Sequence, residues 1–490
     1  MLLRIFIKYS FDKFFLFPYT QATENKSDKR NIAQHLIIEV RDFFMSDIIT
    51  TQSTLDCGVK LVTFQKPGWH SSAVSHTWDV GSHNEHPHHA GITHFMEHLL
   101  GVGSGKLSKD ELTTLTNPWG DFNARTWHNR TDIIFDLAHP KYLAETLEII
   151  EERRQLKAFT PEKLENERER IVVEQMEPIS TPEGRANWEN YEVLYPNQRA
   201  GISLGGLPDI LRKMTYDQLV EHWKAYFGDN NSTLYIATGM SHEDAKEIAN
   251  QVYKPTSEAR AAIAANANYV GGNYRLEIPE NGLCQICLAF ETYGQKTRML
   301  SIPLPGVMSA YINRKLSSEI SDQSIAYHSN ANFDTLTNTG TYQFSLTCEP
   351  HKVDQAIKAT IRVINELQQS GCNQDDIQNI TAGFERADLH EMDSAPTNLL
   401  PSFIKEYMAS GRIRTREESQ AAMDGITVET VNAYIRKIFS SKPSLGIWGK
   451  GAESALSYAK VEQMLRYKDK PKVTLRPDQA PGGDRQNTGG

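Results

Sequence analysis

A strand, a proline and a helix recur in the same order 210 residues apart. Residues 131–138 read as a strand and Pro140 opens an amphipathic helix to about Arg154; residues 341–348 read as a strand and Pro350 precedes a helix over about 353–369. Repetition at that period means two similar domains, because solenoid units are several times shorter. A chain of 490 residues is also too long for one core. The expected fold is α+β: two homologous domains, each a mainly antiparallel sheet packed with helices. The first spans 47–255 and the second 273–470, joined by an Ala-, Asn- and Gly-rich linker at 256–272. Residues 1–46 form an N-terminal extension, and the tail at 471–490 is too poor in apolar residues to join a core and is expected to be disordered.

Within the first repeat, residues 59–64 and 72–80 read as half-buried strands. Helices follow over about 91–100 and 108–115, the second with Ser108 as candidate cap, and then a strand at 121–126. Thr160-Pro161-Glu162 begins a long helix by cap-plus-proline chemistry, and Asn373 caps another in the second repeat. Cys284 and Cys287 fall inside an apolar run that reads as a buried strand; positions three apart on a strand face opposite sides, so the pair is structural and not a metal knuckle. Five cysteines in this length make no disulfide framework.

The densest chemistry lies between His83 and His98, where six of the sixteen histidines fall. His94 and His98 are four apart, so on a helix their imidazoles share a face, as two legs of a tetrahedral zinc site do. Glu97 lies on nearly the same face, close to a metal without having to bind it, where a carboxylate can take a proton from activated water. This is the order H-x-x-E-H. His83, His86, His88 and His89 read as loop residues. A third ligand is needed, and the helix after Thr160 offers Glu165, Glu167, Glu169, Glu174 and Glu177. Glu167 and Glu174 are two turns apart and share a face; one could ligate while the other orients the ligands.

In combination, these features resemble the pitrilysin/insulinase family of zinc endopeptidases, from about Thr51 to Gly451. Gly91-Ile-Thr-His-Phe-Met-Glu-His-Leu-Leu is similar to the family's signature helix. The resemblance implies zinc held by His94, His98 and Glu174, with Glu97 as catalytic base and Glu167 as accessory carboxylate. Residues 120–126 resemble the family's edge strand, so Asn123 and Ala124 are expected to bind an extended peptide substrate by main-chain pairing. The two-domain length resembles the shorter branch that includes mitochondrial and bacterial processing peptidases, whose paired subunits close around a chamber. It also makes the second domain the one without metal chemistry. That domain usually carries an Arg and a Tyr that hold substrate oxygens; here residues 318–327 match the surrounding helix and keep Tyr327, while the Arg is replaced near Ser321.

Two readings follow. One is an active zinc endopeptidase subunit whose partner, a second family member, supplies the Arg and Tyr; a heterodimer is favoured and a homodimer stays open. The other is a degenerate scaffold or peptide-binding subunit, against which the intact metal set speaks. The formal charge, 52 basic against 61 acidic residues or −9, argues against nucleic acid as a partner. No run of about 18 uncharged apolar residues provides a membrane span. Residues 2–19 are apolar but broken by Arg4, Lys8, Asp12 and Lys13, a poor match to any targeting class. A cytoplasmic location is favoured, with mitochondrial or periplasmic targeting left open.

Overall fold

The computed structural model describes residues 48–101, 109–155, 160–260, 266–278, 282–294, 303–392 and 395–465. The expectations for residues 1–46, for the 471–490 tail and for Ser108 as a cap lie outside these residues. Eleven strands form two sheets among the described residues. The first holds β1 (Ile49–Thr54), β2 (Lys60–Gln65), β3 (Ser72–Trp78), β4 (Phe122–Thr126), β5 (Thr131–Leu137) and β6 (Ser232–Thr238), in the order β1-β2-β6-β3-β5-β4. The second holds β7 (Asn273–Leu276), β8 (Cys284–Tyr293), β9 (His328–Thr335), β10 (Thr339–Cys348) and β11 (Ser444–Gly449), in the order β7-β11-β8-β10-β9.

Setting β1 aside, the two orders are the same, strand for strand. In each, one parallel pair (β2 with β6, β7 with β11) sits among antiparallel pairs. The repeat read from the proline spacing is thus a repeat of topology, and it makes β4 and β9 equivalent outer edges.

Seven helices matter for the site and for the joining of the halves: α1 (Ile92–Gly101), α2 (Leu143–Arg154), α3 (Pro161–Met176), α4 (Pro182–Leu194), α5 (Leu304–Leu316), α6 (Val353–Gln369) and α7 (Pro396–Ser410). α1 and α2 cover one face of the first sheet, burying Phe95, Leu99, Leu147 and Ile150 against Val74, Ile133, Phe135 and Leu234. α5 and α6 cover the matching face of the second sheet with Met308, Ile312, Ile357 and Ile364.

The opposite faces are covered by exchange. α7, from the second half, lays Leu400, Ile404 and Tyr407 on Val62, Phe64, Ala73, Tyr235 and Ala237 of the first sheet. α4, from the first half, buries Ala186 beside Cys287 and Trp448, and Leu194 beside Ala289, on the second sheet. Each fully buried Leu or Ile contributes about 1.5–3 kcal/mol, so the halves are joined by packing as well as by chain. The segment expected as a linker is itself anchored: Thr256 N–H donates to Asp229 at 2.6 Å and the Tyr269 hydroxyl to the Lys442 carbonyl at 2.8 Å.

Cys284 and Cys287 lie on β8 facing opposite sides of the sheet, one in each packing layer. Among the described residues no helix is long and apolar enough to cross a membrane.

Candidate metal centre

The H-x-x-E-H segment is helical because the chain before it builds a cap. The residue at the usual capping position is Gly91, which has no side chain to offer, and Glu85 fills the role from six residues upstream. Its carboxylate accepts from Gly91 N–H at 2.8 Å and Thr93 N–H at 2.9 Å, and is itself paired with the buried Arg199 guanidinium. Gly91 has φ +91°, and a Cβ there would meet Gly206 Cα at 2.8 Å, so two glycine backbones pack face to face at the helix entrance. At the other end of α1, Arg153 Nε donates to the Leu100 carbonyl at 2.5 Å.

This arrangement predicts a large stability effect. Glu85→Ala removes the cap and leaves Arg199 buried without its partner, which should cost about 3–5 kcal/mol in urea unfolding. An Arg199→Met change added to it should recover part of the loss, because the uncompensated charge is gone.

α1 and α3 then bring the candidate ligands together. His94, His98 and Glu174 are the one group of three among the described residues whose donor atoms all lie within 4.8 Å of one another. Glu174 Oε2 is 3.2 Å from His98 Nε2, and its Oε1 is 4.0 Å from His94 Nε2. Glu97 Oε2 stands 3.9 Å from His94 Nε2 and accepts the Thr126 N–H of β4 at 2.9 Å. Glu167 is buried on α3 with Oε2 3.4 Å from His98 Nδ1, and its other oxygen accepts from Arg170 at 2.8 Å. Two imidazoles and one carboxylate, one imidazole steadied by a second carboxylate, fit the donor chemistry of zinc.

The electrostatics follow from burial and from the crowded carboxylates. Burial pushes Glu97 up to about 7, despite the pull of His98 and Thr126 toward the ionised form. Burial would lower His98, but the hydrogen bonds to Glu167 and Glu174 overcome it and raise the ring to about 9.

The upstream histidines have other roles. His86 caps the short helical turn Pro87–His89, whereas His83 is buried and stacks on His128 at 4.4 Å. Burial lowers His83 and His222 to about 3 and His76 well below its ordinary value. These rings stay neutral in the fold but take up protons at about 6.5 when unfolded. Stability is therefore fully present above that pH and is lost as pH falls toward 3. The three rings pull the urea midpoint down between pH 6.5 and 4, and Glu85 and Glu97, whose carboxyls burial raises to about 7, oppose that fall. A His222→Gln chain should therefore lose stability less steeply than the wild type over this range, and an unchanged slope would contradict the burial of its neutral ring.

β4 lies at the outer edge of its sheet, and its register separates Asn123 from Ala124. Trp127 N–H bonds the Arg130 carbonyl at 2.8 Å and Asp136 N–H bonds the Asp121 carbonyl at 2.9 Å, so odd-numbered residues turn their main chain to β5. Asn123 is committed to that pairing. Ala124 turns its N–H and C=O outward, and so does Thr126, whose N–H is held by Glu97.

Tyr327 differs from the expectation. The helix that begins with α5 ends in a wider turn at Ser317–Ser321, and Tyr327 lies beyond it, on the segment entering β9. There it is 70% exposed and its hydroxyl donates to Glu349 at 2.9 Å.

The residues that sequence reasoning missed are Glu85, Arg199 and the Thr126 amide. Glu85 carries no capping signal at its position, and Arg199 is 114 residues away from it.

Residues 60–194 match the family model described as "Insulinase (Peptidase family M16)", and residues 213–384 match "Peptidase M16 inactive domain". An "Uncharacterized zinc protease" of Rickettsia felis is 22% identical over 81% of this chain and 97% of its own length. The mitochondrial-processing peptidase subunit beta of Neurospora crassa is 20% identical, covering 84% of this chain and 90% of itself. Among solved structures, a protease from Helicobacter pylori superposes with TM-score 0.75 at 14% identity, over 83% of this chain and 100% of that one. The two family models, both halves of the fold and these relatives agree: the chain belongs to the insulinase family, peptidase family M16.

Proposed function

We propose that this chain is the metal-bearing subunit of a zinc-dependent endopeptidase that takes its peptide substrates in extended form. The observation that carries this reading is the meeting of His94, His98 and Glu174 beside Glu97, which is itself bonded to an open strand edge. A zinc ion held by these three residues would act as a Lewis acid toward a peptide carbonyl and acidify water.

The chain's own residues account for the rest. Ala124 binds the peptide main chain through its outward N–H and C=O, adding the substrate as a strand beside β4. Glu97 accepts a proton from the attacking water and returns it to the leaving amine as the carbon–nitrogen bond breaks. The Thr126 N–H holds one Glu97 oxygen and fixes the aim of the other. Glu167 keeps the His98 ring oriented through Nδ1.

Partner dependence belongs to the same proposal. With Tyr327 bonded to Glu349 and the second-half Arg replaced near Ser321, a second family subunit is the source of the missing contacts. The test is zinc content of the purified full-length chain, together with cleavage of an unfolded fluorogenic peptide with and without a chelator and with and without a candidate partner. Chelator-sensitive cleavage is expected. Metal-free, inert protein in every condition would support the scaffold reading instead.

A further inference from the structure

Three consecutive residues of α4 each bond a different strand of the second sheet. Glu189 accepts from Trp448 Nε1 on β11 at 2.8 Å, Asn190 donates to Gln343 on β10 at 2.8 Å, and the Tyr191 hydroxyl donates to Asp334 on β9 at 2.6 Å. Of these three bonds, the last has a second end in the first half. The Tyr191 ring meets His128 edge-on, with centroids 5.4 Å apart, and His128 also stacks on His83. His128 sits in the 127–130 turn that closes β4 onto β5. Its carbonyl accepts His83 N–H at 2.8 Å and its Nδ1 is 3.2 Å from Ser82 Oγ.

β4 needs such a brace. As an outer strand it pairs with one neighbouring strand among the described residues, and strand edges and turns open more readily than sheet centres. Yet its main chain must stay in register twice over: at Thr126, whose N–H aims Glu97, and at Ala124, which faces outward. The turn that ends the strand is held by His83 and Ser82 and by Tyr191. Tyr191 is in turn tied to the outer strand of the second sheet.

We propose that Tyr191, braced by Asp334, is a positioning residue for the peptide-binding edge, carrying the placement of the second half to the 127–130 turn and so to Ala124 and Thr126. The proposal rests on β4 being that edge, but its structural arm is read without catalysis. Tyr191→Phe keeps the ring against His128 and removes only the bond to Asp334.

In the full-length protein, amide exchange over residues 126–130 should rise about tenfold in this variant, as expected for losing a hydrogen bond to a charged group. Zinc per chain should be unchanged. In peptide hydrolysis KM should rise roughly threefold to tenfold, with kcat held within about twofold. Asn190→Ala, which removes the neighbouring bond to the second sheet but has no tie to the turn, should leave exchange at 126–130 at the wild-type rate. Unchanged exchange in Tyr191→Phe, or an equal rise in Asn190→Ala, would overturn the proposal. Exchange decides the positioning role whether or not the chain cleaves peptide, so failure of the peptidase reading is seen separately, as absent cleavage in the wild type.

Discussion

A Glu97→Gln chain should bind zinc as the wild type does and cleave peptide about 10²–10⁴ times more slowly. The change is isosteric, and the Gln carbonyl oxygen can still accept the Thr126 N–H that holds the carboxylate at 2.9 Å. What is lost is the ability to take up a proton. The loss amounts to about 3–5 kcal/mol of transition-state stabilisation and should appear in kcat with KM little changed. Zinc content and kcat measured on the same preparation check it; turnover at the wild-type rate would remove Glu97 from the proposed mechanism.

The second large effect is graded. His98→Ala, His94→Ala or Glu174→Ala takes one donor from a set of three and should leave the purified protein without zinc and without activity. Glu167→Ala should behave differently. Its carboxylate touches His98 at Nδ1, while Nε2 of the same ring faces Glu174. Removing an orienting group of this kind weakens metal binding about 10–100-fold without abolishing it. Zinc affinity measured by competition with a chromogenic chelator separates the two classes. If Glu167→Ala were as damaging as His98→Ala, Glu167 would be a ligand and the assignment along α3 would have to be redrawn. Arg170, the other partner of Glu167, is 60% exposed at its side chain, so freeing it adds little penalty of its own.

Much of this centre was legible along the chain because its signals are local. His94, Glu97 and His98 sit within one turn and a half of helix, and the 3.6-residue period places them together whatever the surroundings. The Thr160 cap and Pro161 were readable for the same reason, and the cap is present, with Thr160 Oγ1 accepting Lys163 N–H at 3.3 Å. The repeat was readable from a strand, a proline and a helix, and the matching strand orders follow from it.

Tyr327 shows where such reasoning stops. Sequence similarity carried it onto a helix, but the wide turn at Ser317–Ser321 ends that helix and the chain leaves toward β9.

By itself, then, the sequence determined two α+β repeats, the helix that carries H-x-x-E-H and a short set of glutamates from which a third donor had to come. Each of these depends on residues within a few turns of one another. The tertiary structure alone decided the pairings across long stretches of chain. Glu85 caps the metal-bearing helix while paired with Arg199, α4 and α7 cross to cover the other half's sheet, and Ala124 rather than Asn123 turns its main chain to the open edge. Hydrophobic period says which face of a helix is buried but not which sheet it is buried against. Strand alternation likewise says which residues share a face, but only the register of β4 on β5 says which of them has its hydrogen bonds left to offer.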